Sequence, residues 1–344
     1  MVTQDQVSIR DVAQRAGVAL GTVSNVLNRP EKVAESTRER VLAAIDQLGF
    51  VRNDAARQLK AGKSRSIGFI LLDVRNPFFT DVAQGAEQQA AEHGLSVLLA
   101  NSDETTERES RYLDLFEQQR VQGLLVSPLG DIWARLDRLY RHGTPVVLVD
   151  RKADGRPFSS VAVDDVAGGY LAVSHLVNQG CRRIAFVGGA LSILQVADRL
   201  HGANRAAAEH DDVQLELILR DGLTVQDGRA AGTALAKRAP AQRPDGVFCA
   251  NDLLAVGVLQ SFTMADHRLQ VPGDVALVGY DDIDFASAAL VPLTSIRQPA
   301  HLIGRTAVDL LLEQIVAGPD EAAPRAVVFQ PELVIRDSSL RRRP

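Results

Sequence analysis

Residues 11–28 read DVAQRAGVALGTVSNVLN, and the way this stretch folds decides how the whole chain is read. Just upstream, Ser8 stands three residues before Asp11, the spacing of a capping box, so a helix is expected to start there. Ile9, Val12, Ala13 and Ala16 then fall at i, i+3, i+4 and i+7 and form one apolar stripe. Gly17 suits the positive φ that ends a helix, and Val18 is placed to bury its side chain in the turn. A second helix is expected from Leu20. At about 100° per residue, Val23, Val26 and Leu27 gather on one side of it, and Gly21, Ser24, Asn25 and Asn28 on the other. That outer face is small and polar, without a large charged side chain. It can approach a base edge or a phosphate closely.

Working outward, ESTRERVLAAIDQLGF at 35–50 predicts a third amphipathic helix through Val41, Ala44, Ile45 and Leu48, closed by Gly49. Three short helices within about fifty residues, with a glycine turn between the first two, make a helix-turn-helix unit. Residues 1–65 hold eleven Lys and Arg against seven Asp and Glu, whereas the chain as a whole carries −5. A basic head therefore precedes an acidic body, and the head is the part suited to a polyanion. Next comes RNDAARQLKAGKS at 52–64, where Asn53 can cap and Ala55, Ala56 and Leu59 give a short apolar side. About eight residues are too few for a stable isolated helix, so this segment is expected to order only against a partner. Its AGKS is not a phosphate loop: Arg57 stands where the required glycine would be, and no strand precedes it.

From Ser66 onward, apolar strand patterns alternate with helical ones. SIGFILLD, LSVLLAN, GLLVSP and PVVLVD read as strands, with helices at about 78–93, 105–119 and 131–142. After SVAVDD a second series begins with RIAFVGG, LELILRD, GVFCAN and VALVGYDD. Continuous apolar strands with helices between them predict parallel sheets covered on both faces, here as two similar lobes. LTSIRQP near 293–299 and the closing VVFQPELVIRD are expected to be crossover strands tying the lobes together. Ligands bind beyond the carboxyl ends of such strands. Those ends carry Asp73, Asn76, Phe78 and Phe79; Asp150 and Arg151; Asn251 and Asp252; and Asp281 and Asp282, with Arg199 following FVGGALSILQVAD. Carboxylates, amides and an arginine around two phenylalanines suit a polyol such as a sugar. Taken singly, each Asp or Asn also reads as a helix N-cap, and Asp252 could equally cap the next helix.

DVAQRAGVALGTVSNVLN, then TRERVLAAIDQLGF, then RNDAARQLKAG resemble the head of the lactose-repressor/galactose-repressor family of bacterial transcription regulators. The two-lobed body resembles that family's core, which is similar to periplasmic sugar-binding proteins, so the resemblance covers nearly the whole chain. It implies an N-terminal all-α helix-turn-helix domain and an α/β periplasmic-binding-protein-like (type I) core with parallel sheets. The expected divisions are a head at 1–50, a hinge helix and linker at 51–64, and a core at 65–340. Within the core, the first lobe spans about 65–164 and 296–326, and the second about 165–293 and 327–340. The resemblance further implies that the second helix lies in the major groove, with Leu20, Gly21 and Asn25 reading bases. Thr22, Ser24 and Asn28 would contact phosphate or base. Hinge helices would pair in the minor groove, with Leu59 wedged into a base step and Asn53, Ala56, Arg57 and Lys60 on the same DNA-facing segment. The effector candidates are then Asp73, Asn76, Phe78, Phe79, Asp150, Arg151, Arg199, Asn251 and Asp281, and among them the resemblance singles out Asn76, Phe79, Arg199, Asn251 and Asp281. The chain departs from the family in two places. Ala19 stands where a capping serine is common, and Ile193 and Leu194 are apolar where polar effector contacts are common.

The implied function is a repressor of transcription that releases a near-palindromic double-stranded operator when a small-molecule effector, a sugar, binds between the lobes. A homodimer is expected, since half-sites come in pairs and no heptad pattern follows the body. A solute receptor is the alternative; it would need an export signal, and MVTQDQVSIR lacks a basic n-region and an apolar h-region, so a cytoplasmic site is expected. An enzyme would need a nucleophile elbow or a dinucleotide fingerprint, and neither G-x-S-x-G nor G-x-G-x-x-G is present. No cofactor, metal or membrane partner is expected. The two cysteines, Cys181 and Cys249, each fall in an apolar strand-like run and read as reduced structural thiols.

Overall fold

The computed structural model describes residues 7–50, 64–130, 132–264, 269–318 and 323–341. The chain divides into two compact units, 1–64 and 65–344. The expected hinge, with Asn53, Ala56, Arg57, Leu59 and Lys60, lies outside the described residues.

The head holds helices α1 (Ile9–Ala16), α2 (Leu20–Asn28) and α3 (Glu35–Leu48), with a single 3-10 turn at Pro30–Lys32. Asp11 Oδ2 accepts from both the Ser8 N–H (2.8 Å) and the Ser8 hydroxyl (2.7 Å), which fixes the start of α1. Gly17 ends it at φ 63°, a left-handed conformation that only glycine adopts cheaply. Val12, Val23 and Val41, one from each helix, are fully buried against one another. Each such valine contributes about 1.5–3 kcal/mol, so a few of them hold this small unit together.

The body contains two six-stranded sheets. The first takes β1 (Ser66–Leu71), β2 (Ser96–Asn101), β3 (Leu124–Val126), β4 (Val146–Val149), β5 (Ser159–Val163) and β11 (Ala326–Phe329) in the order β11-β5-β4-β3-β1-β2, all parallel. The second takes β6 (Arg183–Gly188), β7 (Gln214–Leu219), β8 (Gly246–Cys249), β9 (Ala276–Asp281), β10 (Thr294–Arg297) and β12 (Glu332–Val334) in the order β12-β10-β9-β8-β6-β7. It is parallel except for β12. Between the strands run α4 (Pro77–Glu92), α5 (Thr106–Gln118), α6 (Trp133–Arg141), α7 (Asp165–Asn178), α8 (Leu194–Ala207), α9 (Val225–Ala236), α10 (Asp252–Met264), α11 (Asp284–Ala288) and α12 (Ala300–Ala317). Helices on both faces explain the unbroken apolar strands. On β1, Ile67, Phe69 and Leu71 join one core, while Ile70 points the other way to Leu113, Phe116 and Trp133.

The expected lobe boundaries need correction. The strand within LTSIRQP, β10, continues the parallel register of β9, with Arg297 opposite Asp281, so it belongs to the second lobe. The chain returns to the first lobe only with α12, which packs on α4, β4 and β5. It stays there through β11, whose backbone pairs with the edge of β5, and β12 then closes the second sheet. A sequence pattern shows that these segments are strands, but hydrogen-bonding partners decide which sheet they join. Cys181 also differs from expectation: it lies in the turn before β6 rather than in a strand, and both thiols are buried and unbridged.

Three helix pairs cross at reciprocal glycines: Gly85 with Gly304, Gly169 with Gly202, and Gly228 with Gly257. A Cβ at any of them would overlap a backbone carbonyl of the facing helix, so each pair is held at closer range than side chains permit. The pair α7 and α8 matters most for the site, because the carbonyl facing Gly169 is that of Arg199.

Candidate functional site

The outer face of α2 is as the sequence indicates. Leu20, Gly21 and Asn25 are exposed, Thr22 and Ser24 half-buried, and nothing stands within 4 Å of the place a Gly21 Cβ would take. No side chain caps this helix, because Ala19 has no side-chain oxygen; its carbonyl accepts from the Thr22 N–H at 2.9 Å, and the N–H groups ahead of that are suited to an outside acceptor such as phosphate. Asn28 differs from its neighbours: its amide nitrogen turns back to donate to the Ser24 carbonyl at 2.8 Å. The helix end engages that N–H.

In the body, the carboxyl ends of both sheets meet around a cleft. Eight of the nine expected residues line it: Asp73, Asn76, Phe78, Phe79, Asp150, Arg199, Asn251 and Asp281. Arg151 does not join them. Asp150 has a left-handed backbone (φ 58°), and the chain leaves it so that the Arg151 guanidinium sits 5.3 Å from the Trp133 ring centroid, beside a neighbouring concavity.

Two side chains bridge the lobes. Asn76, which caps α4 by accepting from the Phe78 N–H, donates its amide to Asp281 Oδ2 at 2.9 Å. Gln195, at the start of α8, donates to the Asp150 carbonyl (2.6 Å) and to Asp150 Oδ2 (3.0 Å). Asp281 receives a further bond from Gln298 at 2.8 Å, on the segment that returns to the first lobe. Its φ of 102° is a strained conformation for a residue with a side chain, of the kind that concentrates at binding sites.

Arg199 is the electrostatic centre. It donates to Asp165 Oδ1 and to the Ala250 carbonyl, both at 2.7 Å, lies 3.9 Å from Asp281, and stacks 3.7 Å from the Tyr280 ring centroid. Burial works against its charge, but Asp165, Tyr280, Asp281 and Asp150 more than restore it, so the guanidinium stays protonated. Burial pushes Asp281 up to about 6, with Arg199, Asn76 and Gln298 holding it down. Asp150 is raised well above the usual carboxylate range, first by burial and then by Asp165. Its Oδ1 is buried without a partner among the described residues.

Other candidates prove structural. Asp252 accepts from the Ile283 N–H and the Ser295 hydroxyl, pinning the loop after β9. Asp282 is ion-paired with Arg297 and Arg336. Asn251 does both jobs: it accepts from the Leu254 N–H within α10 and lines the cleft. The sequence reading missed Glu104 and Gln195, and it noted Ile193 only as an apolar departure; all three line the cleft. Glu104 follows the end of β2 just as Asp73 follows β1, so the same strand-end rule finds it. Gln195 carries no sequence signal beyond its place in the first turn of α8.

A helix-turn-helix unit with a bare polar face, joined in one chain to a two-lobed cleft with a buried arginine, defines a ligand-responsive DNA-binding regulator. Residues 8–53 match the profile of bacterial regulatory proteins of the lacI family, and residues 173–339 match a periplasmic binding protein-like domain. The HTH-type transcriptional repressor PurR of Aliivibrio fischeri (strain MJ11) is 33% identical over 341 residues, covering 97% of this chain and 99% of the relative. The Lac repressor dimer bound to operator and the anti-inducer ONPF superposes with a TM-score of 0.83 at 29% identity, covering 98% of this chain and 100% of that one. The complex of the regulator CelR with cellobiose gives 0.69 at 30% identity, covering 96% and 99%. The chain belongs to the LacI family of bacterial regulatory proteins. It is a transcriptional regulator that binds DNA and answers to a small-molecule effector, not an enzyme. Among the described residues no helix is long and apolar enough to cross a membrane, and no cluster of His, Cys, Asp and Glu could hold a metal ion.

Proposed function

We propose that this protein is a cytoplasmic repressor that holds a near-palindromic operator as a homodimer and releases it when a sugar binds in the cleft. The observation that carries the reading is the pair of bridges across the cleft, Asn76 to Asp281 and Gln195 to Asp150. A polyol entering there competes for or extends both bonds, so it binds open and closed arrangements of the lobes with different free energy. Such a difference is what allostery requires. Asn76, Asp73, Asp150, Arg199, Asn251 and Asp281 take hydroxyls, and Phe78 and Phe79 face the apolar side of the ring. The first lobe begins at β1, directly after the hinge segment, so lobe rotation alters the spacing of two hinge helices in a dimer. On the DNA, Leu20, Gly21 and Asn25 read bases, Thr22, Ser24 and Asn28 contact phosphate or base, and Asn53, Ala56, Arg57, Leu59 and Lys60 engage the minor groove. The relatives support these roles: the Lac repressor dimer is bound to operator, and CelR to cellobiose.

The test is a thermal-shift screen of the full chain against pentoses, hexoses, disaccharides, phosphosugars, nucleosides and purines, followed by operator binding with each hit. A sugar that raises the melting temperature, loses that effect in Asn76→Ala and Asp281→Ala, and frees the operator supports the proposal. A hit that tightens operator binding reverses its direction, and a sugar panel without any hit removes the effector class.

A further inference from the structure

We infer that Glu104 selects the effector, and that the effector carries a basic nitrogen: an amino-bearing polyol rather than a neutral or acidic one. This rests on reading the cleft as a polyol site.

Glu104 lines the cleft from the loop after β2. Asp103 and Glu104 both have left-handed backbones, φ 52° and 53°, two successive residues with side chains held where glycine is the usual occupant. The Glu104 N–H is tied to the Leu72 carbonyl at 3.2 Å, which sets the turn. The charges around it are already engaged. Arg75 pairs with Asp73 and with Asp103, each at 2.9 Å, and Arg108 pairs with Asp103 at 2.8 Å. Among the described residues the Glu104 carboxyl has neither a hydrogen bond nor an ion pair. The turn therefore holds a carboxyl group that no described residue engages.

The surroundings point to a cation. The charged groups that face Glu104 are Asp73 from the end of β1, Asp103 and Arg75 beside it, and Asp227 from α9 of the other lobe. Along the cleft as a whole, the carboxyl groups of Asp73, Glu104, Asp150 and Asp281 stand against the guanidinium of Arg199, which is committed to Asp165. Asp150, 3% exposed, keeps a buried Oδ1 without any partner. Among the described residues, a second polar atom of the cleft thus has no partner. Burial, with Asp73 next, pushes Glu104 up to about 7. A hydroxyl can donate to such a group but does not offset its charge once it ionises. A protonated amine offsets it and makes the stronger, charge-assisted bond, whereas phosphate or carboxylate is repelled.

Calorimetry on the full chain with matched sets (glucose, glucosamine and N-acetylglucosamine, and the galactose and mannose counterparts) tests this. In the set that fits the cleft, the amine binds about tenfold or more tighter than the parent sugar, and acetylation, which removes the charge, abolishes the gain. Glu104→Gln, checked for folding by circular dichroism, brings amine and parent within about twofold. Amine binding strengthens between about pH 6 and pH 7 as Glu104 ionises, and Glu104→Gln loses that slope. A parent sugar that binds as tightly as its amine, or an amine preference that survives Glu104→Gln, overturns the inference and leaves the polyol reading standing. A panel in which nothing binds overturns both.

Discussion

Replacing Arg199 by Met keeps most of the side-chain volume, so the variant reports charge rather than a cavity. In the native protein the guanidinium serves two buried carboxylates, Asp165 at 2.7 Å and Asp281 at 3.9 Å, and the Ala250 carbonyl. All of these are largely buried; Arg199 and Asp165 are each 5% exposed and Asp281 is equally buried. Removing one partner of a buried pair costs about 3–5 kcal/mol, because the remaining charge keeps its desolvation penalty without compensation. At roughly 2–4 °C per kcal/mol for a unit of this size, the melting temperature of Arg199→Met falls by about 6–20 °C. Adding Asp165→Asn removes the stranded carboxylate and recovers several degrees, a coupling that contacting residues show and distant ones do not. Differential scanning fluorimetry of the two variants and their combination measures this cycle. A single variant within about 2 °C of wild type, or a double variant no better than the single, refutes the assignment of Arg199 as the centre of the cleft's electrostatics.

Glu109 is buried, accepts the Leu129 N–H at 2.9 Å, and has an Oε2 without a partner; burial pushes it up to about 7 from a usual 4.5. Its ionisation penalises the folded state: the cost is absent below the unfolded value, grows as pH rises from 4.5 to 7, and is full above that. Glu109→Gln therefore matches wild type in thermal stability near pH 5 and exceeds it near pH 8; equal curves at both pH values contradict this. Gly169→Ala drives a Cβ into the Arg199 carbonyl, so α7 and α8 must separate at a cost of about 1–3 kcal/mol. A lowered melting temperature together with weakened effector binding is the expected outcome, and an unchanged variant removes the crossing as a positioning device. Asn25→Ala removes an exposed amide from α2 that is proposed to read a base, and weakens specific operator binding by about 1–3 kcal/mol, with non-specific binding unchanged. Fluorescence anisotropy with operator and scrambled duplexes separates the two.

The head was legible because its signals are local. The Ser8–Asp11 box, the positive φ at Gly17, and the buried valines of each helix all follow from spacing along one segment. The two sheets were legible from strand runs that are apolar without interruption. Sheet membership of the last strands was not: β10 stays with the strand before it, β9, whereas β11 pairs with β5 far away in sequence, and only the pairing of Arg297 with Asp281 and of Ala326 with Ser160 places them. The strand-end rule found most of the cleft, since it depends on topology rather than on side-chain direction. It misplaced Arg151 because a left-handed Asp150 redirects the following residue, a conformation with no mark in the sequence. Gln195 was missed for a related reason. Its partner is Asp150 in the other lobe, and an interlobe hydrogen bond leaves no local pattern.

The most direct test of the account is operator affinity measured by fluorescence anisotropy as a function of the cleft ligand, in wild type and in Asn76→Ala. The bridged cleft predicts that ligand weakens operator binding of the wild type by about tenfold or more, a coupling of about 1.4 kcal/mol. It also predicts that Asn76→Ala, which lacks the bridge to Asp281, shows a much smaller response. A ligand that demonstrably binds the cleft yet leaves operator affinity unchanged would contradict it.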